Sequence, residues 1–109
     1  MILENRGTSA GRPEELARIT KASGIFANPD FGNFPDKQTC ERGLRELFPL
    51  ADGLCHARLN PAKFNLATCM HISREAGFKG LYSIETETYN GADPYHAVQN
   101  VRDQLIQYL

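Results

Sequence analysis

Glu4, Asp30, His56 and Glu85 recur along the chain at steps of 26, 26 and 29 residues, each at or near the C-terminal end of a short apolar run. Three carboxylates and one imidazole make a hard, oxygen-rich donor set, suited to one divalent ion of the Mn²⁺, Mg²⁺ or Co²⁺ type and tolerable for Zn²⁺. With no thiolate among them, a closed structural zinc site is not the chemistry indicated. Singly, each carboxylate reads as a solvated residue at a loop edge, and a lone strand histidine is more often packed and hydrogen-bonded than ligating. Their common placement is what raises the set above that. Asn33, three residues after Asp30, and Arg58, two after His56, share the same expected rim. They read equally as a loop cap and a rim ion pair, or as donors to substrate hydroxyls or a phosphate.

Other chemistry-bearing residues offer less. Cys55 and His56 are neighbours on an expected strand and point to opposite faces, so they form no thiol–imidazole dyad. His71 and His96 fall in expected helices and read as surface residues. Gly32 and Gly91 serve turns, since no GxGxxG or Walker pattern surrounds them. Cys40, Cys55 and Cys69 are odd in number and include no CxxC pair, which fits reduced thiols in a cytosolic protein.

The elements that must position the four candidates form strand–helix units. Ile2-Leu3-Glu4 reads as a strand, followed by a polar loop (Asn5 to Gly11) and a helix opened by Pro13, Glu14 and Glu15. Leu16, Ile19 and Thr20 give that helix its inner face, and Gly24 closes it. Ile25 to Asn28 is the second strand. The helix opened by Asp36 carries Cys40, Leu44, Leu47 and Phe48 on one stripe and stops at Pro49. In the third strand, Gly53 to Leu59, period two sets Leu54, His56 and Arg58 against Cys55, Ala57 and Leu59. A helix from about Asn65 to Ala76 turns Leu66, Cys69, Met70 and Ser73 inward and ends at Gly77. The fourth strand, Leu81 to Glu85, directs Tyr82 and Ile84 to the helices and Ser83 and Glu85 to the other side. After a loop from Thr86 to Ala92, Asp93-Pro94 opens a last helix with Val98, Val101 and Leu105 inward.

This alternation predicts an α/β fold with parallel strands and right-handed crossovers. Functional residues at the C-terminal ends of successive parallel strands are the arrangement of a (β/α)8 barrel, which takes roughly 250 residues. The chain has 109, so four consecutive βα units, half of such a barrel, are expected as a single domain over residues 1–109. The 12 Lys and Arg are interspersed with 13 Asp and Glu, for a net charge of -1. That balance lacks the clustered basic stripe of a nucleic-acid binder. No apolar run approaches the ~18 residues of a membrane span, and no leader pattern opens the chain. A cytoplasmic protein with neither nucleic-acid nor membrane partner is expected.

The segments ILENRG, NPDFGNF, LCHARL and EAGFKGLYSIETE, followed by DPYHAVQNVRDQLIQYL, resemble the C-terminal half of the sugar phosphate isomerase/epimerase family with the xylose isomerase-like TIM-barrel fold. The resemblance covers nearly the whole chain, and its most specific pieces are the DFGN loop and AGFKGLYSIE. It implies a divalent metal held by Glu4, Asp30, His56 and Glu85, with Glu4 and Glu85 as acid and base on opposite sides of the substrate carbon. Asn33 and Arg58 would contact the substrate, a small sugar or sugar phosphate. The implied reaction is proton transfer at a carbon next to a carbonyl through a metal-bound enediolate. General chemistry agrees, because such a species needs a Lewis acid and a positioned carboxylate on each face. Many relatives have His where this chain has Arg6 and Lys where it has Arg58, departures that bear on sugar preference more than on metal binding.

The family's first four strands have no counterpart here. Parallel sheets are covered on both faces and tolerate no long bare edge. The chain is therefore expected to need another half-barrel for activity, either its own copy in a homodimer or a separately encoded one. The alternative is an inactive truncated fragment or a half-barrel assembly partner, and the start on a strand residue favours truncation. A dehydratase or an apurinic endonuclease relative is less favoured. The latter would bind a multi-zinc cluster and DNA, against which stand the scarcity of strand-end histidines and the near-neutral charge.

Overall fold

A computed structural model of the chain describes residues 1–86 and 93–109. Four strands alternate with four helices among these residues: β1 (Ile2–Glu4), α1 (Pro13–Ser23), β2 (Phe26–Asn28), α2 (Lys37–Leu47), β3 (Leu54–Ala57), α3 (Leu66–Glu75), β4 (Leu81–Ile84) and α4 (Pro94–Ile106). The fold class is mixed α/β. Most of the loop expected from Thr86 to Ala92, Gly91 included, lies outside the described residues.

Both strand pairs are parallel. β1 runs beside β2 with Glu4 opposite Asn28, and β3 beside β4 with His56 opposite Ser83. The pairs are joined by isolated parallel bridges, Ala27 to Ala51 and Asp30 to His56. At the second bridge the His56 N–H donates to Pro29 O at 2.8 Å and the Phe31 N–H to His56 O at 3.2 Å. Two of the candidate ligands thus lie on the seam that joins the two halves of the strand layer.

The helix ends follow local chemistry. Pro13 opens α1, and Gly24 closes it in the left-handed conformation at φ 66°, which glycine adopts without a Cβ penalty. The Asp36 and Asn65 side chains cap α2 and α3 by accepting from the N–H of Thr39 (2.7 Å) and Thr68 (3.0 Å). Asp93 does the same for α4 through Tyr95 at 3.0 Å. The inner face of α1 differs from expectation: Pro13, Leu16, Ala17 and Thr20 are buried while Ile19 is exposed. At 3.6 residues per turn that stripe is centred more than a quarter-turn from Ile19. In α4, Val101 and Leu105 are buried but Val98 is exposed, because only the second half of this helix reaches the core. The strands are also shorter than expected. Ile25, Gly53, Arg58, Leu59 and Glu85 lie just beyond the regular ladders.

The core lies between the helices and the strand face that carries Ala27, Cys55 and Ala57. Phe31 is its aromatic centre, edge-to-face with Phe48 and with Phe64, both at 6.2 Å between centroids. The series continues from Phe48 through Phe78 to Tyr82. The opposite strand face is open at its lower end, where Ile2, Phe26 and Leu81 are 46%, 49% and 73% exposed. No helix among the described residues is long and apolar enough to cross a membrane.

Candidate metal centre

Each candidate ligand follows from where a strand stops. Glu4 is the last residue of β1, Asp30 follows β2 by two residues, His56 is within β3, and Glu85 immediately follows β4, its N–H held by Ala57 O at 3.0 Å. Parallel strands in near register bring these ends together. The four offer one ligand atom each, all within 4.8 Å of one another. A six-coordinate ion with ligands at about 2.1 Å spans up to about 4.2 Å between opposite donors, so the cluster would need to contract by roughly half an ångström.

The imidazole sits at the middle of the acids. His56 Nδ1 is buried and has no hydrogen-bond partner among the described residues. Around it lie Glu4 Oε1 at 3.6 Å, Asp30 Oδ2 at 3.6 Å and Glu85 Oε2 at 3.5 Å. These separations exceed ordinary N–H···O hydrogen bonds but suit donors arranged about a shared cation. A buried polar atom without a partner is costly, and a cation among these four groups would both satisfy it and offset the repulsion among three carboxylates. The residues present therefore fit a divalent ion.

Asp30 is the fixed member. It is fully buried, with Oδ1 accepting from the Gly32 N–H at 2.7 Å and from Arg58 Nε at 3.0 Å. Arg58 Nη2 reaches Asp30 Oδ2 at 2.6 Å and Glu85 Oε2 at 2.9 Å. Glu4 is oriented by Asn33, whose Nδ2 donates to Oε1 at 2.9 Å. Both rim residues singled out in the sequence, Asn33 and Arg58, thus touch the carboxylates. Gly32 has a role beyond a turn. A Cβ there would come within 2.5 Å of Arg58 Cδ, so glycine makes room for the arginine.

Asn5 is the residue that sequence reasoning passed over as part of a polar loop. It is fully buried, and its side chain accepts from the Asp30 N–H at 2.8 Å and donates to the Asp30 C=O at 3.0 Å. The available signal was its place directly after Glu4, where strand parity turns it away from the ligands. A cleft of about 210 Å³ adjoins the centre, lined by Gly32, Arg58, Asn60, Lys63, Glu85 and Asn100 among others. Of these, Asn60, Lys63 and Asn100 carried no distinguishing sequence pattern.

The remaining candidates stay apart from the centre. His71 and His96 are surface residues paired with Glu75 and Asp93. The three cysteines are free and buried. Burial, with the nearby Asp30 charge added, pushes the Cys55 thiol well above its usual range, which leaves it without nucleophilic character. Comparisons with protein-family models, with curated proteins and with solved structures give no match.

Proposed function

We propose that this chain is the metal-holding half of a sugar or sugar phosphate isomerase or epimerase, built as the C-terminal half of a (β/α)8 barrel. The observation that carries the reading is the convergence of Glu4, Asp30, His56 and Glu85 from four successive strand ends to within 4.8 Å. A divalent cation bound there supplies Lewis-acid polarisation of a substrate oxygen. The protein's own residues divide the remaining tasks. Asp30, buried and held by the Gly32 N–H, is a ligand that does not move. Glu4 and Glu85 come from the outer strands β1 and β4 and have side chains 26% and 45% exposed, so both are open to a substrate lying between them. One carboxylate removes the proton from the carbon next to the carbonyl and the other delivers a proton to the opposite face. Asn33 steadies Glu4.

The exposed row of Ile2, Phe26 and Leu81 supports a role for a second half-barrel, from another copy or from a separate chain. It would cover this face and supply the other wall of the pocket. The same row favours an inactive assembly partner as the second reading.

The test is solvent-exchange labelling. A panel of ketoses and ketose phosphates is incubated with Mn²⁺ and the chain in D₂O, on material whose mass is known from light scattering. Deuterium at the carbon next to the carbonyl, lost in Glu4→Gln and in Glu85→Gln, is expected of the assembled form. Absence of exchange in a dimer that binds Mn²⁺ contradicts the isomerase reading and leaves the partner reading.

A further inference from the structure

The carboxylate oxygens that Arg58 Nη2 holds are also two of the three that surround His56 Nδ1. Nη2 lies 2.6 Å from Asp30 Oδ2 and 2.9 Å from Glu85 Oε2, and His56 Nδ1 lies 3.6 and 3.5 Å from the same two atoms. A divalent ion among the four ligands draws on those oxygens. A guanidinium in contact with both then faces the ion at close range, in a pocket where the Arg58 side chain is only 13% exposed and solvent screens weakly. The two cations compete for one place.

A cleft lies beside the arginine. Its aliphatic stem lies over Gly32, where a Cβ would come within 2.5 Å of Cδ. The head group borders the adjoining cleft, which also presents Lys63, Asn60 and Asn100. Two cationic groups and two side-chain amides in one concavity form a donor set for a phosphate-class oxyanion, with the planar guanidinium suited to bidentate contact. The carboxylate on that wall, Glu85, is the one a bound ion would neutralise.

We infer that Arg58 is a displaceable counter-cation of the metal centre. It neutralises Asp30 and Glu85 when no divalent ion is bound, and an entering ion drives it into the cleft, where with Lys63 it holds the phosphate of a phosphorylated sugar. The inference rests on the metal-centre reading above and deepens it: cation and oxyanion bind with positive coupling, each favouring the other.

The experiment is Mn²⁺ titration of the full chain with sodium sulfate as the oxyanion probe, against sodium chloride at equal ionic strength. Sulfate is expected to tighten Mn²⁺ binding roughly fivefold or more. Arg58→Gln is expected to bind Mn²⁺ about tenfold more tightly without sulfate and to lose the sulfate effect, and Lys63→Gln to diminish that effect. Wild-type affinity indifferent to sulfate, or equal or weaker Mn²⁺ binding by folded Arg58→Gln, overturns the inference while the metal centre stands. Absence of Mn²⁺ binding in every form contradicts the metal centre itself, and the inference with it. Arg58→Gln leaves the buried Asp30 carboxylate without its cation, so its folding is checked by circular dichroism. The wild-type sulfate measurement stands without that variant. Fructose 6-phosphate should tighten Mn²⁺ binding more than fructose does; equal effects overturn the assignment of the cleft to a substrate phosphate.

Discussion

The side-chain amide of Asn5 brackets the peptide of Asp30, accepting from its N–H at 2.8 Å and donating to its C=O at 3.0 Å. This pair of bonds takes the place of a strand rung beyond the point where the β1–β2 ladder stops at Glu4 and Asn28. Glu4 and Asp30, one residue from Asn5 and bonded to it respectively, are thereby fixed relative to each other although 26 residues separate them.

Removing the bracket should weaken both the fold and the centre. Asn5→Ala leaves two buried backbone groups unpaired, at about 1–3 kcal/mol each when nothing replaces the partner, so a loss of roughly 2–6 kcal/mol in urea denaturation is expected. Mn²⁺ affinity should fall in the same variant. Unchanged stability would mean that water or a local shift satisfies the Asp30 peptide.

Gly32→Ala tests the close approach of Arg58. The added methyl would lie 2.5 Å from Arg58 Cδ and 3.0 Å from Nε, forcing the guanidinium off Asp30. Overpacking of this kind costs about 1–3 kcal/mol. The expected signature is a lowered melting temperature whose deficit shrinks at saturating Mn²⁺, because the ion replaces the displaced cation. A deficit of equal size with and without Mn²⁺ would assign the cost to the backbone turn alone.

Asp36 gives the fold a measurable acid response. The Thr39 N–H that its carboxylate accepts holds the carboxyl below its ordinary range, so the folded state favours the ionised form. The contribution is fully present above the unfolded-state value, near pH 4, and is lost as the pH falls through the lower folded-state value. Thermal melts of Asp36→Ala should therefore lie below wild type at pH 7, with the gap narrowing in stronger acid. A gap independent of pH would show that the cap does not act through its charge.

Much of this architecture is legible in the sequence because its signals are local. Pro13 and Gly24, Asp36, Asn65 and Asp93 mark helix ends through their own backbone chemistry, and the alternation in Leu54 to Ala57 fixes which side of β3 carries His56. The four candidate ligands were legible from spacing because each falls at the end of an apolar run. What was not legible depends on contacts between distant segments. Asn5 gains its role only when Asp30 is brought beside it, and the Gly32 requirement exists only because Arg58 lies across it. Ile19 and Val98 are apolar at helical spacing, yet Ile19 is exposed because the buried stripe of α1 is centred away from it, and Val98 because only the second half of α4 reaches the core. The seam between β2 and β3 likewise follows from how the loop at Asp30 meets His56 of β3, which no strand propensity encodes.

The central claim is that four strand ends converge on one cation, and Mn²⁺ titration of chelator-treated protein, followed by calorimetry, tests it most directly. Saturable binding of one ion per chain is predicted, weakened about tenfold or more in His56→Gln when that variant keeps the wild-type circular dichroism spectrum. A well-folded wild-type chain that binds no Mn²⁺, or a His56→Gln chain that binds it as tightly, would contradict the account.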